Sequence, residues 1–245
     1  MSNYFQYFPR SFYRFGNETT SDIFQNITIY ADVVDQVKDN TTVYFDYYIQ
    51  EGERPDQTSF NLYGNTNFHW TFYLMNNKLR EQGWPLSRSN VLRYAQKKYP
   101  NKTITTRTRL TSLTGFFKTG DIIEGRDSGA TAKIEHRHLD LGQLVVNVTS
   151  GTFQVGELLQ MAGTSDTVLI HSISDEHLSA HHYEDASKVI TDIDPTVGPG
   201  GLLNEVTYLD RAHSENDNLK LIRVIKPSLI TDVVNSFREA VNEWK

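Results

Sequence analysis

The chain has no cysteine. Disulfides, thiolate zinc sites and a cysteine nucleophile are therefore excluded, and the fold must hold by packing and hydrogen bonding alone. Positive charge is also short: 24 Lys and Arg against 30 Asp and Glu leave a formal charge of −6. No basic stripe is present to neutralise phosphates, so nucleic-acid binding is not expected. Arg93, Lys97 and Lys98 form a local basic cluster, but their helical spacing reads as a solvated face. No apolar run approaches the ~20 residues that cross a bilayer. The opening MSNYFQYFPRSFYRF lacks the apolar core of a signal peptide, which predicts intracellular synthesis. The sequons at Asn17, Asn26, Asn40, Asn101 and Asn147 are then chance matches in a chain rich in Asn and Thr. HExxH, GxSxG, Walker and GxGxxG motifs are all missing, which removes the common motif-based enzyme readings.

Aromatic side chains are what the sequence has in quantity. Tyr4, Phe5, Tyr7, Phe8, Phe12, Tyr13 and Phe15 crowd the first fifteen residues, with Pro9 interrupting any helix. Each ring buries roughly 150–250 Å², so this arm must lie either on the chain's own core or in a groove of a neighbour. Ser21-Asp22 is a possible cap, and Ile23, Ile27, Val33, Val34 and Val37 fit either mixed structure or a short helix near Tyr30–Lys38.

From Val43 the pattern sharpens. Val43, Phe45 and Tyr47 alternate with Tyr44, Asp46 and Tyr48, which predicts a half-buried strand. Pro55 suits the first turn of a helix that Tyr63-Gly64-Asn65 stops. Phe68, Phe72 and Met75, beside Trp70, Tyr73 and Leu74, predict a second helix, apolar over much of its surface and enclosed by other protein.

Tyr47-Tyr48-Ile49, Arg54-Pro55, Tyr63-Gly64-Asn65, Trp70 and Asn76-Asn77 together closely resemble the baseplate wedge protein 53 family of contractile-tailed, T-even-like bacteriophages. Trp84-Pro85-Leu86-Ser87 resembles it too, and so does Asn216–Glu243, which looks like that family's closing strand and helix. Confident resemblance covers about a third of the chain, from two places in the right order. It implies a virion protein of the tail baseplate, about six copies per ring, bound to inner wedge proteins and helping to join adjacent wedges around the hub. The stretch Tyr47–Asn77 also resembles a LysM module, whose order is strand, helix, helix, strand. No final strand follows at once, yet Leu221–Lys226 before Pro227 fits, and we predict that it pairs with Val43–Ile49 across a long insertion.

Ser87 is a reasonable N-cap for a helix with Val91, Leu92, Tyr94 and Ala95 on its buried side, ending near Tyr99-Pro100. The Thr-rich, alternating stretch 103–113 reads as an extended linker or strand. An internal repeat follows. FKTGDIIEG from Phe117 returns as FQVGELLQM from Phe153, 36 residues on, with Gly120/Gly156, Asp121/Glu157, Ile122/Leu158 and Ile134/Ile170 in register. With Leu144–Val148 between the copies, this predicts a small antiparallel barrel or sandwich of five or six strands. Residues 176–218 are polar, carry Pro195 and Pro199 and have little periodicity, so they read as an extended connection. A terminal amphipathic helix carries Ile230, Val233, Val234, Phe237, Val241 and Trp244 on one stripe.

The expected architecture is therefore α+β. It has an N-terminal aromatic arm (1–40), a LysM-like wedge core with flanking helices (41–112 with 219–245), an inserted β-barrel-like domain (113–175) and the connection (176–218). Asp127-Ser128-Gly129-Ala130 has the wording of an aspartic-protease loop, but the repeat mate of Asp127 is Gly163, so no second carboxylate is supplied and a hairpin turn explains it better. His136 and His138, joined by His171 or His177, His181 and His182, are conceivable metal ligands, though spacing shows no convergence and surface histidines are the better account. Neither a metal nor a cofactor is expected. Tyr4, Phe5, Tyr7, Phe8, Phe12, Tyr13, Arg54, Trp70, Trp84, Phe237 and Trp244 are the candidate partner-interface residues, although Trp70 reads better as core between the two helices and Arg54 as the partner of Asp56 or Glu51. The expected partners are other baseplate wedge proteins, with no nucleic acid, membrane or small-molecule substrate. A LysM-type peptidoglycan-binding protein is the alternative, and an aspartic hydrolase is a third.

Overall fold

A computed structural model describes residues 10–16, 19–25, 43–109, 117–161, 164–165 and 167–243. The possible helix near Tyr30–Lys38, the rings of Tyr4, Phe5, Tyr7, Phe8 and Trp244, and the side chain of Val241 lie outside the described residues. In chain order the elements are β1 (Arg10–Tyr13), β2 (Asp22–Gln25), β3 (Tyr44–Tyr48), α1 (Pro55–Tyr63), α2 (Trp70–Met75), α3 (Asn77–Gln82) and α4 (Arg88–Lys98). Then come β4 (Lys102–Thr106), β5 (Ile122–Gly125), β6 (Thr131–His138), β7 (Gln143–Ser150), β8 (Leu158–Met161) and β9 (Thr167–Asp175). The last are β10 (Ala180–Glu184), β11 (Ile190–Thr191), β12 (Asn204–Thr207), α5 (Tyr208–Asp217), β13 (Leu221–Ile225) and α6 (Ile230–Glu243). They fall into two compact units, Met1–Ser87 with Asn216–Lys245, and Arg88–Glu215.

In the first unit, Pro55 opens α1, where the Arg54 N–H donates to Gln57 Oε1 at 3.0 Å. Gly64 closes it at φ +66°, its N–H donating to the Phe60 carbonyl at 2.8 Å. Only glycine takes that left-handed stop without strain. β13 pairs antiparallel with β3, from Leu221 opposite Tyr48 to Ile225 opposite Tyr44, which is the pairing predicted above. Two strands alone are marginal in water. Here the helices cover them: Ile49, Phe72, Leu79, Leu219, Ile222 and Val224 form one buried cluster, and Met75, Ile225, Ile230 and Val234 a second. Ile230, Val234 and Phe237 recur at i, i+4 and i+7 and are the buried face of α6.

The second unit is built on a closed antiparallel barrel of order β4-β7-β6-β5-β8-β9, filled by Ile104, Phe117, Ile123, Ile134, Leu144, Val146, Leu159 and Ile170. The repeat builds its two equivalent hairpins. Gly120 and Gly156 turn at φ +94° and +91°, and their N–H groups donate to the repeat-equivalent Ile134 and Ile170 carbonyls at 2.7 and 2.9 Å. β5 pairs with β6, and β8 with β9, in the same register shifted by the repeat. Each second strand has its bulge at an equivalent place, Glu135 in β6 and His171 in β9. β6 then pairs with β7, and β9 with β4. The barrel is thus two three-stranded sheets related by an approximate two-fold, and β4, which precedes the repeat, occupies the position equivalent to β7. It begins at Lys102, where the sequence pattern predicted a start at 113.

Residues 176–218, expected as an extended connection, are structured. β10 is flanked by β11 and β12 in a three-stranded sheet, and α5 follows. Strands of two to five residues with His, Glu and Asn on them leave no period to detect. α4 also differs in detail. Val91 and Ala95 are buried, packing with Ala212 of α5, whereas Leu92 and Tyr94 are exposed. Two small residues four apart make a narrower contact stripe than the apolar composition suggested. No helix among the described residues is long and apolar enough to cross a membrane.

Candidate functional site

The motif residues of the first unit converge on backbone clamping. Asn76 interrupts the helical run in an extended conformation, φ −125°, between α2 and α3. Its side-chain amide donates to the Arg223 carbonyl and accepts from the Arg223 N–H, both at 2.8 Å, and so acts as one more strand residue beside β13. Asn216 repeats the device on Leu86, accepting from its N–H at 2.7 Å and donating to its carbonyl at 3.0 Å. An amide side chain matches a peptide group in donor and acceptor, which satisfies both at once. Trp84 Nε1 donates to the Glu53 carbonyl at 2.7 Å, and the Glu53 carboxylate accepts from Tyr47, Gln50 N–H and Asn61. The Glu53 hub is not legible in the sequence pattern. Lys220, nearly buried, donates to Glu51 at 3.3 Å and lies 2.7 Å from Asp217, which above all raises its pKa and keeps it charged.

These contacts sort the candidate interface residues. Trp70 lies against Phe237 with ring centroids 4.8 Å apart, and Trp84 lies against Phe72 and Tyr73. Phe237 is buried. All three make ring contacts inside their unit, Phe237 fully buried and Trp70 and Trp84 half-buried; the period-four spacing of Trp70 and of Phe237 marks apolar helix faces without saying which neighbour covers them. Arg54 is exposed and pairs with Asp56 at 3.1 Å. Phe12 and Tyr13 are exposed, at 74% and 58%.

Their setting is the β1–β2 hairpin. Phe12 stands opposite Ile23 on one face, and Ser11 opposite Phe24 on the other. Phe15 packs edge-on against Tyr13 and Phe24, at 4.9 and 5.6 Å. Phe12, Tyr13, Phe15, Ile23 and Phe24 are all exposed, so the hairpin presents apolar side chains on both faces. Among the described residues these rings are accessible to another chain.

In the second unit the Asp127-Ser128-Gly129 turn is held by the nearly buried Glu157. Its carboxylate accepts from the N–H groups of Asp127, Ser128 and Gln154 and from Ser128 Oγ, at 2.6–3.2 Å. Burial alone pushes Glu157 up, but these four hydrogen bonds outweigh it and lower the pKa. A Cβ on Gly125 would stand 2.5 Å from Ser128 Oγ and 2.6 Å from Glu157 Oε2, so glycine is required there. Asp127 contributes its backbone to a structural turn.

The histidines are ordered by hydrogen bonds. Arg211 reaches His181 Nε2 at 2.6 Å, His181 Nδ1 meets His182 Nδ1 at 2.8 Å, and His182 Nε2 meets Glu184 at 3.0 Å. Because Arg211 only donates, His181 must accept at Nε2 and donate from Nδ1, and His182 must accept at Nδ1 and donate to Glu184. Both rings are therefore neutral. Burial first, then Arg211, His182 and His138, lower the His181 pKa. His138 meets the Tyr208 hydroxyl at 3.0 Å and is lowered by burial and by His136. No group of three or more His, Asp or Glu among the described residues is arranged to hold a metal ion.

A search of curated proteins gave no match. Residues 10–108 match the family model of base plate wedge protein 53, the family that the motifs between Tyr47 and Asn77 resemble, and this ties that part of the chain to the structural proteins of the phage tail baseplate.

Proposed function

We propose that the chain is a structural subunit of a baseplate wedge, that the β1–β2 hairpin inserts into neighbouring wedge proteins, and that about six copies join adjacent wedges around the hub. The observation that carries this reading is the exposed aromatic hairpin inside the family-matched segment. An isolated two-stranded hairpin is marginal in water, and permanent interfaces are enriched in such rings. The order strand, helices, strand around β3 and β13 supports a LysM-like origin for the first unit, used here as a scaffold.

Phe12→Ser combined with Ile23→Ser tests the proposal, because both side chains lie on one exposed face. Tryptophan fluorescence of the isolated variant is expected to match the parent, while co-sedimentation with the other wedge proteins is lost. Retained co-sedimentation would remove the hairpin from the interface, and loss of the folded monomer would assign those rings to its own core.

A further inference from the structure

We infer that the second unit binds a small zwitterion, a molecule carrying one ammonium and one carboxylate group, in a cavity lined by both its barrel and its three-stranded sheet. The cavity measures about 320 Å³, within the size range of small-molecule pockets. Thr105 on β4 and Ser172 on β9 stand opposite one another in its wall. Ile104 and Ile173 alternate with them and point into the barrel, so this pair faces outward. Tyr183 on β10 and Glu205 on β12, also directly opposite one another, line the cavity from the sheet. The bordering loop is fixed: Asp194 Oδ1 accepts from Thr196 N–H and Oγ1 at 3.0 and 2.7 Å, Asp194 pairs with Arg109, and its carbonyl accepts from Val197 and Gly198.

Three polar groups that reach this cavity have no side-chain partner among the described residues. Tyr183 is only 9% exposed, yet its hydroxyl makes no hydrogen bond. Unlike Gln143 Oε1, which is sealed from solvent, that hydroxyl keeps accessible surface. Burial and then Glu205 raise the Tyr183 pKa, so the hydroxyl stays protonated and can both donate and accept. The Glu205 carboxylate and the Arg107 guanidinium are the other two, and they form no ion pair with each other. They are held apart. A Cβ on Gly198 would stand 3.8 Å from Arg107 Nη2, so the guanidinium lies beside that loop, whereas Glu205 lies beside Tyr183. Burial first and then Asp210 raise the Glu205 pKa, as expected of a carboxylate with no cation against it.

The ligand class follows from these charges. A simple anion gains Arg107 but is repelled by Glu205 and Asp210, and a simple cation meets the reverse. A molecule with both charges sets each against its opposite, and the distance between its charges becomes the selective variable. Its ammonium donates to Glu205 and to the Tyr183 hydroxyl, and its carboxylate accepts from the planar fork of Arg107. Thr105 and Ser172 offer hydroxyls to either end. The inference concerns the second unit alone and is independent of the hairpin's role in assembly.

The test is titration of the full-length, amide-labelled protein near neutral pH with glycine, β-alanine, γ-aminobutyrate and ε-aminocaproate, whose charges are progressively further apart. Acetate and ethylamine, which carry the two charges singly, are titrated beside them. At least one amino acid is expected to give saturable shifts at Arg107, Tyr183, Gly198 and Glu205 at millimolar concentration, with an affinity about fivefold above that for either single charge. Arg107→Gln and Glu205→Gln alter exposed side chains, should leave thermal stability unchanged, and should each weaken the best ligand about fivefold. Tyr183→Phe deletes the hydroxyl alone and has the same expected direction. Absence of saturable shifts with every amino acid, equal affinity for acetate or ethylamine, or unchanged affinity in both charge variants would overturn the inference.

Discussion

Glu124 stands opposite Gln160 in the pairing of β5 with β8, and Gln160 is its own repeat mate, 36 residues on. An axis relating the two halves of the barrel therefore passes between them. On the opposite wall, Ile104 of β4 faces Leu144 of β7, the residue in the equivalent position, so the same axis passes there. Since β4 completes the second half as β7 completes the first, the barrel depends on a strand outside the repeat.

That relationship predicts equal costs for unequal-looking mutations. Ile104→Ala and Leu144→Ala both empty fully buried positions and should each cost about 2–4 kcal/mol. As direct neighbours they should be non-additive when combined. Trp70, Trp84 and Trp244 all belong to the first unit. Urea unfolding followed by far-UV circular dichroism should therefore lose stability in the barrel transition while the tryptophan signal holds. A shift in the tryptophan transition of equal size would mean that the two units unfold as one.

Glu157 predicts an acid-sensitive turn. Its native pKa is below the unfolded value of about 4.3, so its contribution is complete above that pH and is lost as pH falls through the native value. Glu157→Gln leaves a nearly buried cluster of N–H donors with a weaker acceptor, at a cost of about 1–3 kcal/mol. Barrel unfolding midpoints measured from pH 6 to pH 3 should fall less in this variant than in the parent. Asp127→Asn should change little, because the turn uses the backbone at that position.

What could be read in advance has a physical pattern. β3 was legible because its apolar residues alternate, and β13 because the LysM-like order calls for a final strand and Pro227 ends the apolar run Leu221–Lys226. The repeat was legible because Gly120 and Gly156 both need positive φ, which restricts the residue type. β4 was legible only as a linker or strand, because Thr103, Thr105 and Thr106 around the single interior Ile104 do not say which sheet the segment joins. Glu157 looked like another turn residue, equivalent to Asp121. Its role depends on one more methylene and on Ser128, which the pattern does not relate to it. Trp70 reads as a hot spot or as core, and only its neighbours, Phe237 among them, decide.

The histidine chain predicts a second pH effect, with its own window. His181 has a lowered native pKa, so the unfolded state binds the proton more readily. Stability is full above about 6.5, the unperturbed value, and is lost as pH falls from there toward the native pKa. Arg211 and His182 face the ring directly, His138 adds to their effect, and Glu215 opposes it. Arg211→Met should raise the His181 pKa, measured by the titration of its ring signals. An unchanged value would show that Arg211 does not contribute to it.

Asn76 and Asn216 give a test of the clamping device that does not depend on any partner. Asn76→Ala strands the Arg223 N–H and carbonyl, and Asn216→Ala does the same to Leu86. Asn216→Ala should cost about 1–3 kcal/mol, since the Asn216 site is buried and the Leu86 groups do not regain full solvation, and Asn76→Ala, whose bonds to Arg223 are exposed, about 0.5–1.5 kcal/mol. Asn76→Asp is the sharper variant. It keeps an acceptor for the Arg223 N–H but turns a second oxygen toward the Arg223 carbonyl, where a donor stood. If the amide acts as a surrogate strand residue, Asp should be at least as destabilising as Ala in tryptophan-detected urea unfolding near neutral pH. Rescue by Asp would instead mean that a single acceptor to Arg223 N–H is all the site requires.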